Sequence, residues 1–160
     1  FLEPEMPAHT GNMGPRCAGT GTSLHLIGPL GFSLEEKQLR RAGLDYWKNL
    51  DLHIYSSYEE FRQKNPGAKI YMATTKARKI YTEVEYEPDC FLMFGKESAG
   101  IPEELLLENQ ENCVRIPMNE SIRSLNLSNS AAVVLYEALR QNHFSHMQLT
   151  GELHRLHWKE

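Results

Sequence analysis

The chain has 160 residues, enough for one domain with an ordinary hydrophobic core and too few for two of usual size. Its 17 basic and 21 acidic residues leave a formal charge of −4, which excludes a protein that coats nucleic acid by bulk charge but leaves room for a local basic patch. A hydrophobic fraction of 41% excludes wholesale disorder.

No apolar run approaches the roughly 18 residues of a membrane-spanning helix. The opening FLEPEMPAHTGN lacks a basic flank followed by an apolar stretch, so no secretory leader is expected there. Phe1-Leu2 reads as the end of a strand cut short at its start. Cys17, Cys90 and Cys113 are odd in number and far apart, with no C-x-x-C pair. Neither a disulfide framework nor a zinc site is expected, and the implied setting is reducing and cytoplasmic.

In chain order, His9-Thr10-Gly11-Asn12 and Met13-Gly14-Pro15-Arg16 read as a loop. Candidate strands follow at Leu24 to Ile27, Leu52 to Tyr55, Ile70 to Thr74, Cys90 to Phe94 and Val114 to Ile116, each short and partly β-branched or aromatic. Helical signals lie between them. Ser33-x-x-Glu36 has capping-box spacing and opens a segment through Arg41, with Gly43 as its stop. Ser57-x-x-Glu60 repeats the signal, and Asn65-Pro66-Gly67 ends it. Pro102 suits the first turn of a helix through Leu107. The longest helical pattern runs from Ser128 to Arg140, with Ala131, Val134, Leu135 and Ala138 on one face that suits a core or a dimer contact. Strands alternating with helices predict an α/β fold with a mostly parallel sheet and flanking helices.

Residues 145–160 read as a terminal appendage to a domain spanning 1–144, with a short helix as one option. The pairs His143/His146 and His154/His157 share i,i+3 spacing, but no paired cysteine or carboxylate strengthens them, and no metal is expected. Basic residues cluster at Lys37, Arg40 and Arg41 and again at Lys76, Arg78 and Lys79. Either cluster suits a phosphate or a solvated surface. Tyr46, Trp47 and Tyr55 suit base stacking, but aromatics at this density more often form core.

Three loops carry chemical hints: the His9–Arg16 stretch, Gly95 to Gly100 after the fourth strand, and Pro117 to Ser124 after the fifth. The last leads through Leu125, Asn126, Leu127, Ser128 and Asn129 into the long helix. In open α/β sheets ligands bind where loops leave the carboxyl ends of strands, and glycines there admit close backbone approach. Gly95 and Gly100 fit neither the dinucleotide fingerprint nor the P-loop, so a nucleotide-dependent oxidoreductase is not supported. Ordinary turns and caps account for the same residues.

The segment MFGKESAGIP, Met93 to Pro102, resembles the second motif of the SPOUT superfamily of RNA methyltransferases, and IPMNESIRSLNLSNSAAVVLYEALRQ, Ile116 to Gln141, resembles the third. PAHTGNMGPRCAGT and LRRAGLDYW resemble the corresponding N-terminal segments. Within the superfamily the chain is similar to the TrmL-like tRNA (cytidine/uridine-34)-2'-O-methyltransferases over residues 1 to 144.

That resemblance implies an α/β fold with a C-terminal deep trefoil knot, a bound S-adenosylmethionine, and a homodimer whose active sites draw on both subunits. It implies methylation of the ribose 2'-hydroxyl of the wobble nucleotide, number 34, in leucine tRNAs. By the same resemblance Met72, Gly95, Gly100, Ile116, Ser124, Leu125, Leu127 and Asn129 would meet the cofactor. Arg16, Asn12, Ser121 and Arg123 would serve catalysis, and Lys37, Arg40, Arg41, Tyr46 and Glu97 would meet RNA. Asn126 also matches the family's loop pattern.

The chain departs from that pattern in one place. His9 stands where the family has the first asparagine of Asn-Thr-Gly-Asn. Pro15 occupies the arginine position, and Arg16 follows one place later as the stand-in. A knotted dimer that binds RNA or cofactor with little turnover is the alternative this departure suggests.

Overall fold

The apolar bursts form a parallel sheet. β1 (Leu24–Ile27) pairs with β2 (Leu52–Tyr55) in register Leu24 to Leu52. β3 (Ile70–Ala73), β4 (Lys79–Ile80), β5 (Phe91–Phe94) and β6 (Cys113–Arg115) lie in the order β4-β6-β3-β5, all pairs parallel. Phe1 and Leu2 join the two groups. Leu2 N donates to Phe94 O at 2.8 Å, while Ile27 N donates to Phe1 O at 2.9 Å and Glu3 N to Ile27 O at 2.7 Å. The computed structural model describes residues 1–5, 7–31, 50–122 and 125–160, and the side chains of residues 7–12 and 15 lie outside it. The expected Ser33–Arg41 helix falls outside the described residues.

Among the described residues four α-helices flank the sheet: α1 (Pro7–Thr20), α2 (Tyr58–Lys64), α3 (Glu103–Glu108) and α4 (Leu127–Gln141). Alternation along the strands sends side chains to two cores. On one face Phe1, Leu24, Leu26, Tyr71 and Phe94 pack with Met13 and Cys17 of α1 and with Ala131, Val134 and Ala138 of α4. On the other, Leu2, Ile27, Ile70, Met72 and Met93 pack with Phe61 of α2 and Leu106 of α3. Full burial of a side chain such as Met72 or Phe61 contributes about 1.5–3 kcal/mol.

The sequence-based strands match to within one residue at their ends. The caps match too: Ser57 accepts from Glu60 N at 3.2 Å and Asn65 closes α2. The loop expected around His9–Arg16 is instead α1. Gly11, Gly14, Pro15 and Gly19 make it a poor helix by propensity, and burial of Met13 and Cys17 against α4 outweighs that cost. β4 was not anticipated, being only two residues long.

The end of α4 is tied across the chain. Gln141 accepts from Tyr86 N at 2.9 Å through Oε1 and donates to Val84 O at 2.9 Å through Nε2. Asn142 donates to Tyr86 O at 3.0 Å. Beyond it, residues 142–160 form turns and bends rather than the optional short helix. His143, Phe144 and His146 have φ of 61°, 49° and 64°, a left-handed backbone that ends a right-handed helix. All three cysteines are free, and among the described residues no helix is long and apolar enough to cross a membrane.

Candidate functional site

Parallel strands deliver their carboxyl-end loops to one edge of the sheet. There the segments after β3, β5 and β6 and the start of α4 enclose a cavity of about 420 Å³, within the roughly 300–1,000 Å³ usual for small-molecule sites. Phe94, Ile101, Val114, Ile116, Leu125 and Leu127 give its wall an apolar part, while Thr74, Thr75, Lys76, Asn126 and Ser130 supply polar groups. Such a mixture suits a ligand with a flat apolar ring and a polar, charged tail. A larger cavity of about 520 Å³ lies between β1, β5, α1 and α4. Its lining is more apolar, and it lies away from the loops at the carboxyl ends, so the smaller cavity is the candidate site.

The Gly95–Gly100 loop closes on itself. Gly100 N donates to Lys96 O at 2.8 Å, and a Cβ on Gly95 would lie 2.2 Å from Gly100 C. Gly100 has a φ of +69°, a conformation that favours glycine. The loop is also pinned to the segment leading into α1. Glu97 Oε2 accepts from Glu5 N at 2.8 Å, Ser98 Oγ donates to Glu5, and Lys96 Nζ lies 3.6 Å from Glu3 Oε2. At the opposite wall Asn126 caps α4: its Oδ1 accepts from Ser128 N at 2.9 Å and from Ser128 Oγ at 2.6 Å.

The cavity brings together Gly95, Glu97, Gly100, Ile116, Leu125 and Leu127 of the residues singled out from sequence. Glu97 is half-buried and holds the Glu5 amide. Met72 is instead fully buried in the second core, and the wall begins with Ala73 one residue later. Strand alternation turns Met72 into that core. Asn129 is exposed and off the wall, whereas Ser130 is on it. Ser121 is exposed in the turn before α4. Arg16 is half-buried in α1, its carbonyl accepting from Thr20 Oγ1 at 2.8 Å, and is not part of the wall. Asn12 belongs to α1. Its side chain lies outside the described residues, as do Lys37, Arg40, Arg41, Tyr46, Arg123 and Ser124. Thr74 and Thr75 were missed, although the rule for strand carboxyl ends points to the segment after β3, while Lys76 was read only within a basic cluster and Met118 only within the Pro117–Ser124 loop.

The strongly shifted groups lie elsewhere. Burial pushes the Cys17 and Cys90 thiols up to about 11, so neither is a ready nucleophile. Both line the larger cavity. Burial, then the neighbouring His53, lowers His25 to about 4. The described wall therefore holds binding and positioning groups rather than a tuned acid or base.

A family model described as the SpoU rRNA Methylase family matches residues 1–136. A putative tRNA (cytidine(34)-2'-O)-methyltransferase of Listeria monocytogenes serotype 4b (strain F2365) is 54% identical over 147 residues, covering 90% of this chain and 87% of that protein. The tRNA (cytidine(34)-2'-O)-methyltransferase of Methylovorus glucosotrophus (strain SIP3-4) is 45% identical over 146 residues, covering 91% and 95%. A crystal structure of a putative RNA methyltransferase from Bacillus anthracis has a TM-score of 0.87 at 46% identity, covering 92% of this chain and 95% of that one. A structure described as giving insights into the 2-OH methylation of C/U34 on tRNA has a TM-score of 0.84 at 39% identity, covering 89% and 93%.

Proposed function

The chain belongs to the SpoU rRNA Methylase family, and from that premise we propose that it methylates the ribose 2'-hydroxyl of nucleotide 34, a cytidine or modified uridine, in leucine tRNAs. The observation that carries the reading is the cavity at the strand carboxyl ends, built from the Gly95–Gly100 loop and from Ile116, Met118, Leu125, Asn126, Leu127 and Ser130. Relatives that match this chain over most of both lengths bear the name tRNA (cytidine(34)-2'-O)-methyltransferase. A tRNA substrate puts the enzyme in the cytoplasm.

S-adenosylmethionine is the cofactor in this reading, supplying an electrophilic methyl group when bound. The apolar wall of Ile101, Ile116, Leu125 and Leu127 suits its adenine, and the polar groups of Thr74, Thr75, Asn126 and Ser130, together with the backbone of Gly95 and Gly100, suit the rest. The protein's task is to hold the ribose oxygen in line with the methyl carbon and to relieve that oxygen of its proton. Asn12, Arg16, Ser121 and Arg123 are the proposed groups for this task, and Asn129 is assigned to the cofactor. An arginine there orients a phosphate or stabilises charge more readily than it accepts a proton.

Arg16 lies off the wall of its own cavity. That placement supports a homodimer in which α1 of one copy completes the site of the other. The fold reading includes a deep trefoil knot. It is supported by the return of α4 under residues 81–86, to which Gln141 and Asn142 are bonded. RNA contacts are assigned to Lys37, Arg40, Arg41, Tyr46 and Glu97, and residues 145–160 to an appendage of a 1–144 domain. The second reading, a dimer that binds without useful turnover, is favoured by Pro15 at the expected arginine position, since proline lacks an N–H and fixes φ.

Purified protein, labelled S-adenosylmethionine and total tRNA lacking the modification test the proposal. Label in leucine tRNA is expected, and Arg16→Ala should abolish it while sparing cofactor affinity. Cofactor binding without transfer at any protein concentration would favour the second reading.

A further inference from the structure

Lys76, Lys96 and Glu97 are the charged residues on the cavity wall among the described residues. Lys96 and Glu97 are engaged with the segment entering α1, through Glu3 and Glu5 N. Lys76 is different. Its Nζ lies 3.2 Å from Glu103 Oε1, with the two side chains 54% and 78% exposed. A pair so open to solvent adds little and exchanges readily for another anion.

The backbone beneath Lys76 is fixed even though its amine is free to turn. Thr74 N donates to Val114 O at 2.9 Å, Lys76 N donates to Thr74 Oγ1 at 3.2 Å, and Ala77 N donates to Thr74 O at 3.3 Å. Two residues on, Arg78 is exposed and makes no hydrogen bond or ion pair among the described residues. Lys79, by contrast, is held by Glu111 through both its carbonyl and its carboxylate, at 3.1 and 3.3 Å. The loop after β3 therefore presents a rigid turn, with Thr75 and the solvent-open Lys76 on the cavity wall and the exposed Arg78 two residues along the chain.

The geometry points to a phosphodiester site: Lys76 and Arg78 grip an RNA backbone phosphate flanking the nucleotide whose ribose enters the cavity. Flexible cations on a fixed turn suit a phosphate, which fixes register on the nucleic acid and carries no base information. This inference rests on the methyltransferase reading and adds to it a contact outside the RNA-binding residues assigned above. In binding, Glu103 would yield Lys76 to the phosphate.

The test compares full-length wild type with Lys76→Gln, Arg78→Gln and Glu103→Gln, using an unmodified leucine tRNA transcript. Lys76→Gln should raise the KM for tRNA about tenfold at low salt, leaving kcat and the affinity for S-adenosylmethionine within about twofold. Fluorescence anisotropy of the tRNA, which reads binding without turnover, should show the log K against log salt slope shallower by about one phosphate contact. Arg78→Gln should shift KM and slope in the same direction. Glu103→Gln should leave the tRNA KM unchanged or lower it.

Unchanged KM and salt slope in Lys76→Gln would overturn the inference while leaving the methyltransferase reading intact. Weakened cofactor binding would overturn it in favour of the cofactor's carboxylate as the anion. A Glu103→Gln loss equal to that of Lys76→Gln would overturn it in favour of a structural pair. A wild type that binds tRNA through Lys76 but methylates nothing would sink the enzyme reading and leave the phosphate contact standing.

Discussion

Gly95 and Gly100 approach so closely that a single added Cβ on Gly95 would lie 2.2 Å from the carbonyl carbon of Gly100 and 2.3 Å from the amide nitrogen of Ile101. Both obstacles are backbone, so no side-chain rearrangement relieves the contact. Gly95→Ala should open the loop, cost about 1–3 kcal/mol of stability and abolish cofactor binding, as read by calorimetry. Gly100→Ala has space for its methyl but keeps a φ of +69°, and should cost about 1–2 kcal/mol with binding weakened rather than lost. Equal and small effects at both positions would contradict this geometry.

Glu97 links the same loop to the entry of α1 by accepting the Glu5 amide. Removing a charged acceptor from a partly buried amide costs about 1.5–3 kcal/mol. Glu97→Ala should therefore lower the urea midpoint and speed hydrogen exchange at the Glu5 amide. Exchange at the wild-type rate would show that the bond does not restrain the α1 entry.

Much of this arrangement was legible in the sequence, and the exceptions have physical causes. β1 and β2 were placed to the residue because LHLI and LHIY are apolar bursts between polar flanks. The Ser57 cap was placed because a hydroxyl three residues before Glu60 has one main use. α1 was missed because its stability comes from packing Met13 and Cys17 on α4, a contact distant in sequence, whereas its glycines and Pro15 argue locally against a helix. Met72 was assigned to the site by family resemblance, and the pleat turns it into the core. Lys76 was visible only within a basic cluster, and Thr74 only as a strand end, until the sheet order set them beside Gly95 and Ile116.

His25 makes stability depend on pH. Its ring stacks on His53 at 4.5 Å and its Nδ1 lies 3.0 Å from Tyr55 Oη. Burial, followed by repulsion from His53, lowers its pKa from 6.5 to about 4. The folded state therefore favours the neutral ring: its stability is fully present above pH 6.5 and falls as pH drops from 6.5 toward 4. Discounted for partial exposure, the loss should be about 1–2 kcal/mol. Urea unfolding across that range should show the fall in wild type and a flatter profile in His25→Phe. Parallel profiles would assign the acid sensitivity to other groups.

Asn126 both caps α4 and stands on the cavity wall. Asn126→Ala should cost about 1 kcal/mol, seen as a lower Tm, and should weaken cofactor affinity. Asn126→Asp retains the accepting oxygen and should restore most of the stability. A stable Asn126→Ala variant with normal affinity would separate the cap from the site.

In the proposed function the cavity serves methylation of one ribose oxygen at nucleotide 34. Its most direct test is label transfer from S-adenosylmethionine to two leucine tRNAs that differ only in carrying a ribose or a 2'-deoxyribose at that nucleotide. Label is expected on the first, located at nucleotide 34, and none on the second. Equal labelling of the two, or label at another nucleotide, would contradict it.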